Sequence, residues 1–170
     1  MSKLLVVGSV AIDSIETPHG KAPNVQGGSA VYFSYAASFF NPVRLVGVVG
    51  RDFPKAFEDV LAARKIDLRG LERADGKTFR WSGRYEGAMN SAETLSVELN
   101  VFGNFEPKIP QAFRDSQFVF LANGGPDTQR HVLEQMRKPR FTLADTMNLW
   151  ISETRPQLLK LLKLVDGIVL

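Results

Sequence analysis

Asp13 follows the apolar run Leu4–Val7 and the pair Gly8-Ser9. An ionised carboxylate only accepts hydrogen bonds, and its two oxygens can take the hydrogens of two adjacent hydroxyls. An acid just past a buried strand therefore suits a polyol ligand; the plain alternative is an exposed loop acid. Gly27-Gly28 precedes a helix expected from Ser29. Glycines at that place let a ligand approach the backbone, and the free N–H groups of a first helical turn attract oxygen-rich ligands. The alternative there is a tight turn with no ligand. Ala122-Asn123-Gly124-Gly125-Pro126-Asp127 resembles an anion loop, but Pro126 removes one donor and reads as proline in the first position of a helix. Arg80 and Arg84 lie on one face of an expected strand, where they could clasp an anion or simply face solvent.

Other chemistries are excluded by what the 170 residues contain. There is no cysteine and there are two histidines, His19 and His131. Disulfides, thiolate nucleophiles, cysteine-ligated zinc and multi-histidine metal sites are thus ruled out, and neither histidine has a serine–carboxylate setting. No G-x-G-x-x-G follows the first strand and no G-x-x-x-x-G-K-[ST] occurs, which argues against a dinucleotide binder. The formal charge of +3 is spread thinly, with no basic block of the kind that phosphate-backbone binding requires. No apolar run approaches the roughly 18 residues of a membrane span, and the start MSKLLVVG lacks a signal-peptide pattern. The cytoplasm is the expected compartment.

These residues need elements to hold them. Leu4–Val7, Val43–Val49, Gln117–Ala122, Arg140–Ala144 and Gly167–Leu170 are short continuous apolar runs, as parallel strands covered on both faces should be. Helical patterns lie between them at 29–40, 54–65, 126–137 and 156–165, the last three opening at proline. That alternation predicts an α/β class: a doubly wound, mostly parallel sheet with helices on both faces. Tyr32, Phe33, Tyr35, Phe39 and Phe40 read as core residues of the first helix. Thr78–Tyr85 and Glu93–Phe102 instead alternate with period two, which predicts an antiparallel hairpin with one apolar face. Phe79, Trp81 and Tyr85 form a stripe on that face, suited to covering a ligand cleft or packing on a partner chain. The chain ends at Leu170 inside an apolar strand, where a site-bearing loop is expected next, and so reads as truncated at the C-terminus.

LVVGSVAIDSI, then QGGSAVYFSYAAS, then VRLVGVVGRDFP together resemble the start of the ribokinase-like (PfkB) carbohydrate kinases. FVFLANGGPD, LADTMNLWI and VDGIVL are similar to the three strands that follow in that family, so the resemblance runs from residue 3 to Leu170. It implies a doubly wound domain with a small projecting β-sheet lid, with lid strands near 14–16 and 69–102, and often a dimer contact through the lid. It also implies ATP and Mg2+ as the cofactors of a full-length kinase. Asp13, Gly27 and Gly28 match positions that contact acceptor hydroxyls in the family, and Asn123 matches a strand end that faces the acceptor. Asp145 and Asn148 fall in a feature similar to the family's, with no direct role implied. Where ribokinases carry asparagines this chain has Ala11 and Tyr32, which turns the expectation from ribose toward another sugar, a polyol or a nucleoside.

In that family the N-x-x-E motif is expected after the strand that ends here at Leu170, and the D-T-x-G-A-G-D motif, with the catalytic base, further on, so neither is expected within these 170 residues. Phosphoryl transfer is mostly positioning and charge neutralisation plus a base on the acceptor hydroxyl. The expectation is the acceptor-binding side of an ATP-dependent sugar, polyol or nucleoside kinase, inactive as this chain alone and binding neither ATP nor Mg2+ well. The competing reading is a non-catalytic half-kinase that dimerises or binds another protein through its lid.

Overall fold

β1 (Leu4–Val7) turns Leu5 and Val7 to one face of a sheet and Val6 to the other, and all three are buried. A computed structural model describes residues 3–170 and shows why the run is continuously apolar. β1 lies between β4 (Val43–Val49) and β8 (Phe118–Leu121), parallel to both. β5 (Asp67–Arg73) pairs with the far side of β4; β9 (Phe141–Asp145) and β10 (Gly167–Val169) extend beyond β8. The six-stranded order is β10-β9-β8-β1-β4-β5, all parallel. The winding reverses at β1, so a ligand crevice is expected outside its carboxyl end, at Gly8-Ser9.

Helices cover both faces. On one side α1 (Ser29–Ala37) and α2 (Lys55–Ala63), the latter through Leu61, pack with Val6, Val10, Leu45, Val49 and Phe120. On the other, α3 (Pro126–Glu134) and α5 (Arg155–Leu161) pack with Leu5, Val7, Val46, Phe113 and Leu121. A short helix, α4 (Asn148–Glu153), follows β9. No described helix is long and apolar enough to cross a membrane.

The aromatics of α1 and of the turn after it correct an expectation, since the helix ends at Ala37. Its buried residues are Ala30, Val31 and Ser34, small side chains that let the helix sit close on the sheet. Phe33 stacks on Phe120, with ring centroids 3.8 Å apart. Tyr32, Tyr35, Phe39 and Phe40 are exposed, with the Arg64 guanidinium lying 3.7 Å over the Phe39 ring.

The lid is a four-stranded sheet of order β3-β2-β6-β7. β2 (Ala11–Thr17) runs out from β1 and β3 (Gly20–Gly27) returns to α1; β6 (Phe79–Tyr85) lies parallel to β2, and β7 (Ala92–Glu98) is antiparallel to β6. Three expectations change. The strand expected at 14–16 spans 11–17 and has an unforeseen partner in β3. Residues 67–73 belong to the main sheet and not to the lid, because their backbone pairs with β4. The second hairpin strand stops at Glu98: Asn100, at φ +48°, turns the chain into a 3-10 turn that stacks Phe102 on Phe79, with centroids 5.4 Å apart.

A buried hinge joins lid to sheet. Thr78 is fully buried; its Oγ1 accepts from Gly50 N–H (3.0 Å) and donates to Asp52 Oδ1 (2.8 Å), while Arg80 donates to Asp52 Oδ2 (2.9 Å). Thr78→Val keeps the shape but strands the Gly50 N–H, while Asp52 Oδ1 keeps the Thr78 backbone N–H (2.7 Å), so a loss of about 1–2 kcal/mol is expected. In a chain of this size that lowers the melting point by about 3–8 °C. A melting curve unchanged by the substitution would contradict the hinge assignment.

Candidate functional site

Asp13 sits in β2 beside Trp81 of β6 and Val25 of β3, at 8% exposure. Oδ1 has no hydrogen-bond partner among the described residues, while the Gly28 N–H donates to the carboxylate. Burial pushes its pKa up to about 6, an effect that the Gly28 hydrogen bond partly offsets. A buried acceptor without a donor is costly unless something else supplies one. Asp13 Oδ1 is therefore an acceptor with no donor among the described residues.

Gly27 and Gly28 are required where they stand. A Cβ on Gly27 would collide with the Asp13 carboxylate, and one on Gly28 with the Ser9 carbonyl. Gly28 also has φ +96°, in the left-handed region. With both residues bare, the start of α1 is drawn against the β1–β2 junction, where Ala30 N–H donates to the Ser9 carbonyl (3.2 Å).

Asn123 joins this centre through Ser29. Its backbone N–H donates to Ser29 Oγ (2.8 Å) and Asp145 Oδ2 (3.2 Å), and Ser29 N–H donates to Ser9 Oγ (3.1 Å). All four residues singled out in the sequence thus gather at the N-terminus of α1 and the carboxyl ends of β1 and β8. The Asn123 side chain, however, is engaged at both ends: Oδ1 accepts from Trp150 Nε1 (2.8 Å), and Nδ2 donates to Met147 Sδ (2.9 Å). Ser9 and Ser29 were not singled out as site residues; a serine beside each glycine turn was the available signal. Burial raises the Asp145 carboxyl above its ordinary range, against hydrogen bonds from the Ser29 hydroxyl and the Asn123 and Thr146 N–H groups. Gln129 pins the floor, its Nε2 donating to the carbonyls of Leu121 (3.0 Å) and Asp145 (2.9 Å).

The two arginines of the lid do not reach this centre. Arg80 and Arg84 point to the opposite face of the lid sheet, where Arg80 bonds Asp52 and Asn24, and Arg84 pairs with Glu16 and Glu93. The 122–127 loop leads into α3 with Pro126 in the first turn, the helix-start reading. Among the described residues no group of three His, Asp or Glu side chains converges as a metal site.

No family profile matches the chain. A cytidine kinase of Thermococcus kodakarensis is 27% identical over 146 residues, covering 84% of this chain and 51% of the relative. Among solved structures, a nucleoside kinase of Methanocaldococcus jannaschii, an archaeal member of the ribokinase family, matches with a TM-score of 0.74 at 16% identity, over 99% of this chain and 60% of its own. A nucleoside kinase of Burkholderia thailandensis in complex with inosine matches at TM-score 0.72 and 15% identity, over 97% of this chain and 58% of its own. A Cryptococcus neoformans ribokinase in complex with ADP matches at 0.70 and 16%, over 91% and 52%. The chain thus spans about half the length of the curated relative it matches. A parallel sheet that reverses its winding at β1, a lid carried between β1 and the rest, and these structural matches agree on one architecture: the chain has the ribokinase-like (PfkB) fold.

Proposed function

We propose that this chain carries the acceptor-binding side of an ATP-dependent phosphotransferase that acts on an alcohol group of a sugar, polyol or nucleoside. The observation that carries the reading is the buried Asp13 carboxylate, with Oδ1 unpartnered and Gly27 bare against it. Ionised Asp13 accepts hydrogen bonds from two acceptor hydroxyls, and the Gly27–Gly28 backbone lets the acceptor lie against the start of α1. Asn123 contributes more weakly, since only one N–H of its amide is free of the Trp150 and Met147 contacts. In the ribokinase-like family the nucleotide, the metal and the catalytic base belong to motifs that follow the strands described here, so this chain alone is expected to transfer no phosphoryl group.

The pH dependence of acceptor binding tests this. With Asp13 titrating at about 6, affinity is full above that value and falls as pH drops through it, by up to tenfold per unit. Titration calorimetry with sugars and nucleosides between about pH 5 and 8 should show that fall; an affinity flat across the range would overturn the role of Asp13.

A second reading, self-association through the lid, is favoured by the outer strand β7, where Leu95 and Val97 are exposed. Sedimentation showing a monomer at every accessible concentration would remove it.

A further inference from the structure

The strands of the main sheet all run parallel, so their first residues lie along one edge, opposite the carboxyl ends that hold the candidate site. Cations that are scattered in the sequence meet at that edge. Lys3 precedes β1, Lys65 precedes β5, Arg114 precedes β8, and Arg137, Lys138 and Arg140 precede β9. Backbone hydrogen bonds tie these strand entries together. Arg137 N–H donates to the Arg114 carbonyl (2.8 Å), Arg140 N–H to the Gln117 carbonyl (2.7 Å), and Gln117 N–H to the Lys3 carbonyl (3.0 Å).

The acids of this edge are already engaged. Asp67 accepts from the Arg69 guanidinium, Asp115 from Lys3 and Arg44, and Asp166 from the Thr142 N–H and hydroxyl. Hydrogen bonds from Lys3 and then Arg44 pull the Asp115 carboxyl down to about 2, so it stays ionised and paired. Glu134, the acid nearest Arg137 along the chain, lies 3.4 Å from His131. Lys65, Arg137, Lys138 and Arg140 are exposed and have no ion-pair partner among the described residues. Two of them also hold a conformation that suits glycine: Lys65 has φ +57° and Lys138 φ +46°. Lys65 directly follows the cap of α2, where glycine is the usual residue. A lysine there is more strained than a glycine, and what it adds is the cation. Beside these charges stand bare phenyl rings: Phe40 is 90% exposed in the turn between α1 and β4, and Phe141 is 43% exposed at the start of β9.

We propose that this edge of the sheet docks on an anionic lipid surface, with the unpaired cations among the headgroups and Phe40 in the interface. A net charge of +3 spread thinly along the sequence is gathered by the parallel topology onto one end of the molecule. Cations near an anionic bilayer gain from its surface potential, and an aromatic ring gains from leaving water at the same place. Phosphates alone would satisfy the cations and leave the phenyl rings in water, which favours the bilayer over a nucleic-acid duplex. The contact is peripheral. It leaves Gly8-Ser9 and Asp13 at the far end of the sheet turned away from the lipid, so it is independent of the acceptor-binding reading.

Co-sedimentation of the 170-residue chain with vesicles of phosphatidylcholine, alone or with about 30% phosphatidylserine, tests this. The chain should bind the anionic vesicles only, and at least about tenfold more weakly as salt rises from about 50 to about 500 mM. Arg137→Gln with Lys138→Gln should weaken that binding about 25-fold, at about fivefold per cation. Phe40→Ser should weaken it several-fold while keeping its salt dependence. All three side chains are exposed, and the comparison of the two vesicles on the unaltered chain carries the test even where a variant folds poorly. Equal binding to both vesicles, binding to neither, or binding indifferent to the Arg137 and Lys138 substitutions overturns the proposal. So does a single-stranded RNA or a DNA duplex that binds more tightly than the anionic vesicles at the same salt, which would assign the cations to a nucleic acid.

Discussion

Asp13→Asn is expected to weaken acceptor binding about 100-fold while raising the melting temperature at pH 8. Hydrogen bonds to a charged partner are worth about 1.5–3 kcal/mol each, and two of them exchanged for weaker contacts account for about 3 kcal/mol of affinity. The stability change has the opposite sign. The folded carboxyl titrates at about 6 against 3.8 for an unperturbed aspartate, because burial disfavours its charge. Between those values the folded state holds the proton and the unfolded state has lost it, so stability falls as pH rises from about 4 to 6. Above pH 6 the penalty is complete, on the order of 2–3 kcal/mol. Asparagine removes the charge but brings an NH2 that needs its own partner, so about 1–2 kcal/mol of this returns, or about 3–6 °C. Near pH 4 the gain should vanish, since aspartate is then protonated in the folded chain. A variant that is less stable at every pH, with acceptor affinity intact, would make Asp13 a structural residue.

Gly28→Ala is expected to be the most damaging single-methyl change near the site. Its Cβ meets the Ser9 carbonyl, a backbone atom in the β1–β2 junction that cannot swing away, and φ +96° is strained for any L side chain. Strain and overpacking together cost about 3–5 kcal/mol. Gly27→Ala differs in kind, because its Cβ strikes the Asp13 side chain. That carboxylate can rotate at some cost, so acceptor binding should suffer more than folding. Gly87, at φ +54° with nothing within 4 Å, is the control, with an alanine cost of about 1 kcal/mol. Urea denaturation of the three variants checks the order; a Gly28→Ala chain within about 1 kcal/mol of the parent would contradict the packing of α1 against Ser9.

Strands buried on both faces were legible in the sequence because nothing but apolar residues serves there: β1, β4 and β8 come directly from their runs. β5 was not, since DLRGLER sits at a sheet edge, half exposed, where charges are tolerated and pairing comes from backbone alone. β3 was hidden for a similar reason, as GKAPNVQG carries Pro23 and two glycines in an edge strand of the lid. The aromatic run of α1 pointed the wrong way because what packs on the sheet is decided by fit, and Ala30, Val31 and Ser34 fit more closely than Tyr32 or Phe39. At the site, residue types and turn positions were enough to single out Asp13, Gly27 and Gly28 as candidates. The collision that explains Gly27 depends on where the Asp13 carboxylate points, which only the β2–β3 register decides. The capture of the Asn123 amide by Met147 and Trp150 joins distant segments, and nothing local announces it.

The central claim is that these residues grip the acceptor and leave the nucleotide to others. Titration calorimetry of this chain with a panel of sugars, polyols and nucleosides and, separately, with Mg-ATP compares the two sides directly. The account predicts stoichiometric binding of an acceptor from the panel that Asp13→Ala abolishes, and no detectable heat with Mg-ATP. Stoichiometric Mg-ATP binding with no response to any nucleoside or sugar would place a phosphate site among these residues and contradict it.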